Sequence, residues 1–196
     1  MWRRRILNSV IVRRVRSWFI RKIVIKNELQ YIKRYVTTSY SSKILSWQRR
    51  ERADRIFTRN YGSFSYAKME EAHKWVLAHI PWASDLKVYG RKDFWEITKE
   101  VLARMKADCE SQSCLIMRLM QEAGLNDVNI GVAILEGNKT GHAVAIYQFS
   151  DTDFWVLDNG YLTTTPIKAS EFFTNSQLCK GMRPVAGFNF NTQWAY

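Results

Sequence analysis

The pattern of apolar residues changes abruptly at Gly124, and this change constrains the fold more than any other feature of the sequence. Before Gly124, apolar side chains recur at the three- and four-residue spacing of helices. After it come three short runs of β-branched and aromatic residues, 128–135, 142–147 and 154–158, separated by turn-forming residues at 136–139 and 150–153. Short turns join strands that can pair, so the pattern predicts an antiparallel meander. Helices followed by such a sheet indicate an α+β fold.

Three helices are predicted upstream of the sheet. One follows Ser65, after a turn at 60–63, and stops before Pro81, since proline cannot continue a helix. A second opens at Asp93-Phe94-Trp95, where helical spacing resumes. A third runs from Cys109 to Gly124, a residue type common just beyond helix C-termini.

The formal net charge of +12 is concentrated in the first quarter of the chain. Residues 1–50 carry 14 Lys and Arg against one acid, Glu28, whereas residues 51–196 carry 16 basic residues against 17 acids. The larger part is close to neutral and has no overall attraction for a polyanion. We therefore predict two regions, a basic helical arm over 1–50 and a globular domain over 51–196.

The predicted arm contains neither Pro nor Gly, which is compatible with one or two helices. Its basic side chains scatter around the helix axis, and this disfavours a helix that lies on a membrane surface. Several interpretations stay open: a solvated or partner-packed helix, contact with nucleic acid, an anionic membrane or an assembly partner, and a mitochondrial transit peptide.

The three cysteines, Cys109, Cys114 and Cys179, form neither an even disulfide set nor a zinc-binding spacing, which favours a reducing compartment. No apolar run approaches the roughly 18 residues of a membrane span, and no uninterrupted apolar stretch of a secretory signal is evident. These observations predict a cytoplasmic protein. Small size, no evident export signal and a detachable basic arm would also fit a phage-encoded protein acting in the host cytoplasm or packed in a virion.

Cys109 is the candidate nucleophile. A thiol attacks as its thiolate, and the unpaired amides and dipole at a helix N-terminus favour negative charge. Cys109 follows Asp108 at the predicted start of the third helix, where its pKa is expected to be lowered. Cys114 lies five residues further along and is predicted to be in the core.

His142 is the candidate base among the three histidines of the chain. The sequence contexts of His73 and His79 indicate a surface position and a packed position, respectively, whereas His142 opens a strand directly after a glycine. If the hairpin closes around residues 150–153, the start of one strand meets the end of the next, so His142 and Asp158 can touch. A structural histidine, with Asp158 ending its strand in an Asx turn, is the alternative.

Three motifs follow one another along the chain: Asp108-Cys109-Glu110, Gly141-His142-Ala143-Val144 and Val156-Leu157-Asp158-Asn159. Tyr89-Gly90, Asp93-Phe94-Trp95 and Glu100 precede them. Together, over roughly residues 60–165, these segments resemble the core of the bacterial transglutaminase-like cysteine proteinases. The resemblance implies a papain-like α+β fold, with N-terminal helices packed on an antiparallel sheet.

The resemblance also implies a cysteine peptidase or amidase that acts on a protein or peptide amide. Cys109 would attack the carbonyl carbon, His142 would carry the proton and Asp158 would orient His142. The resulting thioester would pass to water in a peptidase or to an amine in a transferase. The Cys109 backbone N–H and a second donor would stabilise the oxyanion, and Trp95 would help to line this site. No cofactor is implied.

Exported members of that family often bind calcium through carboxylates on both sides of the nucleophile, and here Ser111 takes the second position. Asp108 and Glu110 remain, but calcium takes six to eight oxygen ligands, so no metal is predicted. The alternative function is a noncatalytic binding module of the same fold, anchored by its basic arm to nucleic acid, a membrane or a phage assembly.

Overall fold

The computed structural model describes residues 40–54, 62–137, 141–150, 153–158, 165–174 and 182–195. Thr37–Tyr196 form one compact unit. The helices predicted within residues 1–39 lie outside the described residues, and any partner of the arm stays a prediction. Among the described helices, none combines the length and the apolar character needed to cross a membrane.

Helices come first in the described chain and a sheet follows. The helices before the sheet are α1 (Ser41–Asp54), α2 (Tyr66–His79), α3 (Asp85–Tyr89), α4 (Thr98–Arg104) and α5 (Cys109–Glu122). The sheet contains β1 (Ile130–Glu136), β2 (Gly141–Gln148), β3 (Phe154–Leu157), β4 (Ile167–Lys168), β5 (Arg183–Phe188) and β6 (Gln193–Ala195), with α6 (Ala169–Thr174) after β4. The predicted α+β order is confirmed.

The ends of α2 and α5 confirm the predictions made from turn and capping residues. Ser65 caps α2, and its hydroxyl accepts a hydrogen bond from the Lys68 N–H at 3.4 Å. Past the end of α5, Gly124 has a φ of 85°, the left-handed conformation that glycine adopts without strain.

The prediction that Asp93-Phe94-Trp95 open a helix is wrong, because residues 93–97 form no helix and α4 begins at Thr98. Tertiary hydrogen bonds hold this segment. The Asp85 carboxylate accepts from the Phe94 N–H, and Ser111 Oγ accepts from the Glu96 N–H at 3.1 Å. These partners on α3 and α5 are distant in sequence and hold the main chain here, so local spacing alone could not indicate its course.

The strand order in the sheet is β4-β3-β2-β1-β5-β6, and all the pairs are antiparallel. The β1-β2-β3 meander confirms the prediction, whereas β4, β5 and β6 have no counterpart in the sequence analysis. Helices α2 and α5 cover one face of the sheet, and Phe172 of α6 packs on the other. Because both faces are covered, β1 and β2 are almost continuously apolar.

Helix α1 packs into the core of this unit, so a domain boundary at residue 50 would fall inside a packed helix. Trp47 is fully buried, with its ring 5.6 Å from that of Phe188. The buried Glu51 carboxylate accepts from the Thr98 N–H at 2.8 Å and from its hydroxyl at 2.6 Å. Gln48 Nε2 donates to the Asn189 carbonyl at 2.6 Å, which joins α1 to the end of β5.

Candidate active site

Cys109 is the first residue of α5, and Asp108 caps the helix with a carboxylate that accepts from the Ser111 N–H at 3.5 Å. The Cys109 thiol donates to Glu110 Oε2 at 3.0 Å and accepts a hydrogen bond from the Ala143 backbone. Because Ala143 directly follows His142 on β2, the thiol lies beside the start of that strand. The structure thus brings the predicted nucleophile next to the strand that carries the predicted base.

The pKa of Cys109 departs from the sequence-based expectation. Burial raises the pKa of the thiol well above its usual range, and the neighbouring Glu110 carboxylate adds to this effect, while the Ala143 hydrogen bond opposes it. The expected lowering by the helix N-terminus does not dominate. The prediction for Cys114 is confirmed, since it is almost fully buried within α5.

His142 and Asp158 meet, as the hairpin argument predicts. His142 Nε2 lies 2.6 Å from Asp158 Oδ1, and the Asp158 side chain is fully buried. The last residue pair between β2 and β3 at this end is Ala145 with Leu157, so Asp158 stands one residue beyond the ladder and reaches diagonally across to His142. A buried carboxylate bonded to one imidazole nitrogen fixes the orientation of the ring.

The interpretations of the other two histidines are wrong. His73 is fully buried, and its Nε2 forms a hydrogen bond with the main-chain carbonyl of Asp158. His79 is exposed, its Nδ1 bonds the Trp75 carbonyl at 2.8 Å and its ring stacks on that indole. His73 is therefore a site residue that the sequence analysis missed.

Trp95 lies in the hydrophobic core, with only 7% of its surface exposed. Its ring is 5.5 Å from that of Phe188, and its carbonyl accepts from Arg50 Nη1 at 2.9 Å. These contacts explain the buried position of the Trp95 indole by packing in the core. A part for Trp95 in lining the oxyanion site stays a prediction.

Carboxylates gather beside the thiol. Oxygens of Asp85, Asp93 and Glu110 lie within 4.8 Å of one another, a donor set suited to a hard cation such as calcium. Lys43 forms an ion pair with Asp93 within this group. Burial, together with the charges of Glu110 and Asp85, raises the pKa of Asp108 to about 9. The sequence analysis did not foresee this convergence, because Asp85 lies on a different helix, 25 residues before Glu110 in sequence.

An antiparallel sheet packed by helices, with a cysteine at the start of a packed helix, defines a transglutaminase-like fold. Comparison with solved structures supports this class: the chain superposes on Legionella pneumophila LapG with a TM-score of 0.54 and 17% identity, over 66% of this chain and 67% of that one. LapG in its calcium-bound form gives the same values. EGTA-treated LapG gives the same score and identity, over 66% of each chain.

The chain belongs to the family of bacterial transglutaminase-like cysteine proteinases, whose family model matches residues 48–177. This membership confirms the resemblance seen in the sequence and makes the protein a cysteine protease with a protein substrate. A search of curated proteins found no match. The roles of individual residues stay predictions.

Proposed function

We propose that the protein cleaves a peptide bond with Cys109 as nucleophile, His142 as base and Asp158 as the carboxylate that orients His142. The observation that carries the proposal is the 2.6 Å contact between His142 Nε2 and the buried Asp158 carboxylate. His142 lies on β2, and the next residue of that strand, Ala143, contacts the Cys109 thiol. Neither His73 nor His79 offers such an arrangement, because each bonds a main-chain carbonyl.

The first step in this proposal is attack on the scissile carbonyl. With Nε2 of His142 bonded to Asp158, Nδ1 is the nitrogen left to take the proton of the thiol. In this proposal the proton of the thiol passes to Nδ1 as the sulfur attacks the carbonyl carbon. Asp158 stabilises the imidazolium that forms, and the Cys109 backbone N–H stabilises the oxyanion.

The intermediate then collapses to a thioester. The carbon–nitrogen bond breaks, and the His142 imidazolium gives its proton to the departing amine. Water attacks the thioester carbon while His142 Nδ1 takes a proton from the water. The carbon–sulfur bond then breaks, the His142 imidazolium returns its proton to the Cys109 sulfur, and the product is released with a free carboxyl group. Hydrolysis rather than transfer to an amine is the outcome we assign, in keeping with the proteinase family.

The test is to replace the proposed catalytic residues and to measure turnover of a quenched fluorescent peptide, selected from a random library for cleavage by the wild-type protein. Cys109→Ala and His142→Ala are expected to lower kcat by about 10⁴-fold or more. The matched controls Cys114→Ala and His79→Ala keep kcat near the wild-type value. Substantial turnover by Cys109→Ala, or no cleavage of any library peptide by the wild-type protein, would refute the proposal.

We also propose that Asp85, Asp93 and Glu110 hold a calcium ion. Support comes from the convergence of their oxygens within 4.8 Å and from the calcium-bound form of LapG, whose fold this chain shares. The ion would supply positive charge that offsets these carboxylates. The chain's own Lys43 supplies one such charge through its ion pair with Asp93.

Calorimetric titration with calcium tests this second proposal. Asp93→Asn and Asp85→Asn are expected to remove most of the heat of binding that the EGTA-stripped wild-type protein shows. Glu71→Gln, which changes an exposed carboxylate on α2, serves as the control and is expected to keep the wild-type heat of binding. A wild-type protein that binds no calcium, or an Asp85→Asn variant that binds it as tightly as wild type, would contradict the assignment.

A further inference from the structure

A buried histidine stands behind the proposed triad. His73 lies on α2, is fully buried, and its Nε2 contacts the main-chain carbonyl of Asp158. Because a carbonyl only accepts hydrogen bonds, Nε2 carries the proton and donates it. Burial lowers the pKa of His73, so the ring is neutral near pH 7 and remains a donor at this nitrogen.

Asp158 stands where strand pairing no longer holds its main chain. The β2–β3 ladder ends at the pair Ala145 and Leu157, one residue short of Asp158. The hydrogen bond from His73 Nε2 reaches the main-chain carbonyl of Asp158 at this point. The hydrogen bond joins α2 to the end of β3, two elements that are separated along the chain by α3, α4, α5 and two strands.

We infer that His73 is a positioning residue, which holds the main chain of Asp158 so that its carboxylate faces His142. The inference rests on the proposed triad, in which Asp158 orients the imidazole of His142. The chain of contacts runs from His73 through Asp158 to His142. His73 acts through Asp158 and touches neither the substrate nor the thiol.

A second buried donor acts at the neighbouring strand. Ser113 of α5 is fully buried, and its hydroxyl donates to the Ala143 carbonyl at 3.0 Å. Helix α5 thus holds the main chain next to His142, as α2 holds that of Asp158. The hydrogen bonds of His73 and Ser113 thus tie both partners of the His142–Asp158 contact to helices that pack on the sheet.

The alternative for His73 is a role in packing alone, and the two roles predict different measurements. Loss of packing lowers stability but leaves the kcat of the folded molecules unchanged. Loss of positioning lowers kcat, leaves KM nearly unchanged and disturbs the hydrogen bond between His142 and Asp158, because a small misplacement of a catalytic group has a large effect on rate.

The experiment compares His73→Leu, which removes the donor, with His73→Gln, whose amide nitrogen can replace Nε2. His79→Leu changes the exposed histidine of the same helix and serves as the control. On a peptide that the wild-type protein cleaves, His73→Leu is expected to lower kcat by up to about 100-fold at unchanged KM. His73→Gln recovers most of this loss. The downfield imidazole N–H resonance of His142 in the proton NMR spectrum shifts in His73→Leu and persists in His73→Gln.

A double-mutant cycle with Asp158→Ala completes the test. If His73 acts through Asp158, adding His73→Leu to Asp158→Ala lowers kcat no further. Unchanged kcat and an unchanged His142 resonance in folded His73→Leu would overturn this inference, as would a full additional loss in the double variant. Either result leaves the proposed triad intact. Wild-type activity in Cys109→Ala, by contrast, would refute the proposed function itself.

Discussion

His73 shows how a single residue can be misjudged from its immediate neighbours. Charged residues on both sides, Glu71 and Lys74, indicate a surface position. The helical spacing indicates the opposite, because Met69, Ala72 and Val76 form the buried stripe of α2 and residue 73 falls within it. The periodicity could therefore have found His73, whereas its hydrogen bond to Asp158 depends on a contact across 85 residues of sequence.

The buried His73 makes the stability of the protein depend on pH. Its folded-state pKa lies below the usual value of 6.5, because burial, together with the charge of Lys74, outweighs the hydrogen bond to Asp158 and the negative charges of Asp158 and Glu70. At acid pH His73 therefore binds a proton more readily in the unfolded chain than in the folded protein. The contribution of His73 to the unfolding free energy is complete above about pH 6.5 and is lost as the pH falls. The substitution His73→Gln removes this pH-dependent contribution.

Chemical denaturation at a series of pH values measures this effect. As the pH falls from 7.5 to 5, wild type is expected to lose more unfolding free energy than His73→Gln. The comparison isolates His73, because both proteins share the other titratable groups. The control His79→Leu keeps the pH dependence of wild type. Parallel curves for wild type and His73→Gln would contradict a lowered pKa.

At the scale of secondary structure, α1 and the segment 93–97 belong together. Their local sequences indicate an arm and a helix start, respectively, and neither prediction includes the other segment. In the structure Trp47 Nε1 donates to the Glu96 carbonyl at 2.9 Å, and Arg50 bonds both Glu100 carboxylate oxygens at 2.5 Å. These contacts cross nearly 50 residues, so neither composition nor periodicity could indicate them.

Glu51 provides the test of this pairing. Glu51→Ala leaves the buried N–H and hydroxyl of Thr98 without their acceptor, which is expected to lower the unfolding free energy by about 1–3 kcal/mol. Denaturant unfolding followed by tryptophan fluorescence measures the change. Arg49→Ala, at an exposed position of the same helix, serves as the control and is expected to change stability by less than about 0.5 kcal/mol. Equal stabilities for the two variants would show that the contact contributes nothing.

Across the whole molecule, the part of the fold made from neighbours in sequence was predictable and the part made from distant segments was not. The β1-β2-β3 meander follows from its turns. Strand β5 pairs with β1 across about 50 residues and contains Pro184, a residue that argues against a strand. A register shift in the β1–β5 ladder next to Pro184 accommodates it. The sequence likewise indicated the proposed triad, whereas His73 and Asp85 required the assembled fold.

Phe188 joins the separate parts of the molecule. Its fully buried ring packs against Trp47 of α1 and against Trp95 of the segment 93–97. Phe188→Ala is expected to lower the unfolding free energy by about 3–5 kcal/mol, the usual effect of emptying such a site. Phe149→Ala, at a ring that is 44% exposed, is the control, with a loss of at most about 1 kcal/mol. Thermal and denaturant unfolding provide the measurement, and a Phe188→Ala variant as stable as the control would contradict this account of the core.

The link from Gln48 to Asn189 has a consequence for synthesis of the protein. Helix α1 leaves the ribosome early, but the ring and the carbonyl that it packs against belong to residues 188 and 189. Strand β1 likewise keeps one edge unpaired until β5 has been made. The core around Trp47 can close only after residues 188 and 189 have been synthesised, so the nascent chain exposes this apolar surface to chaperones across a separation of 141 residues.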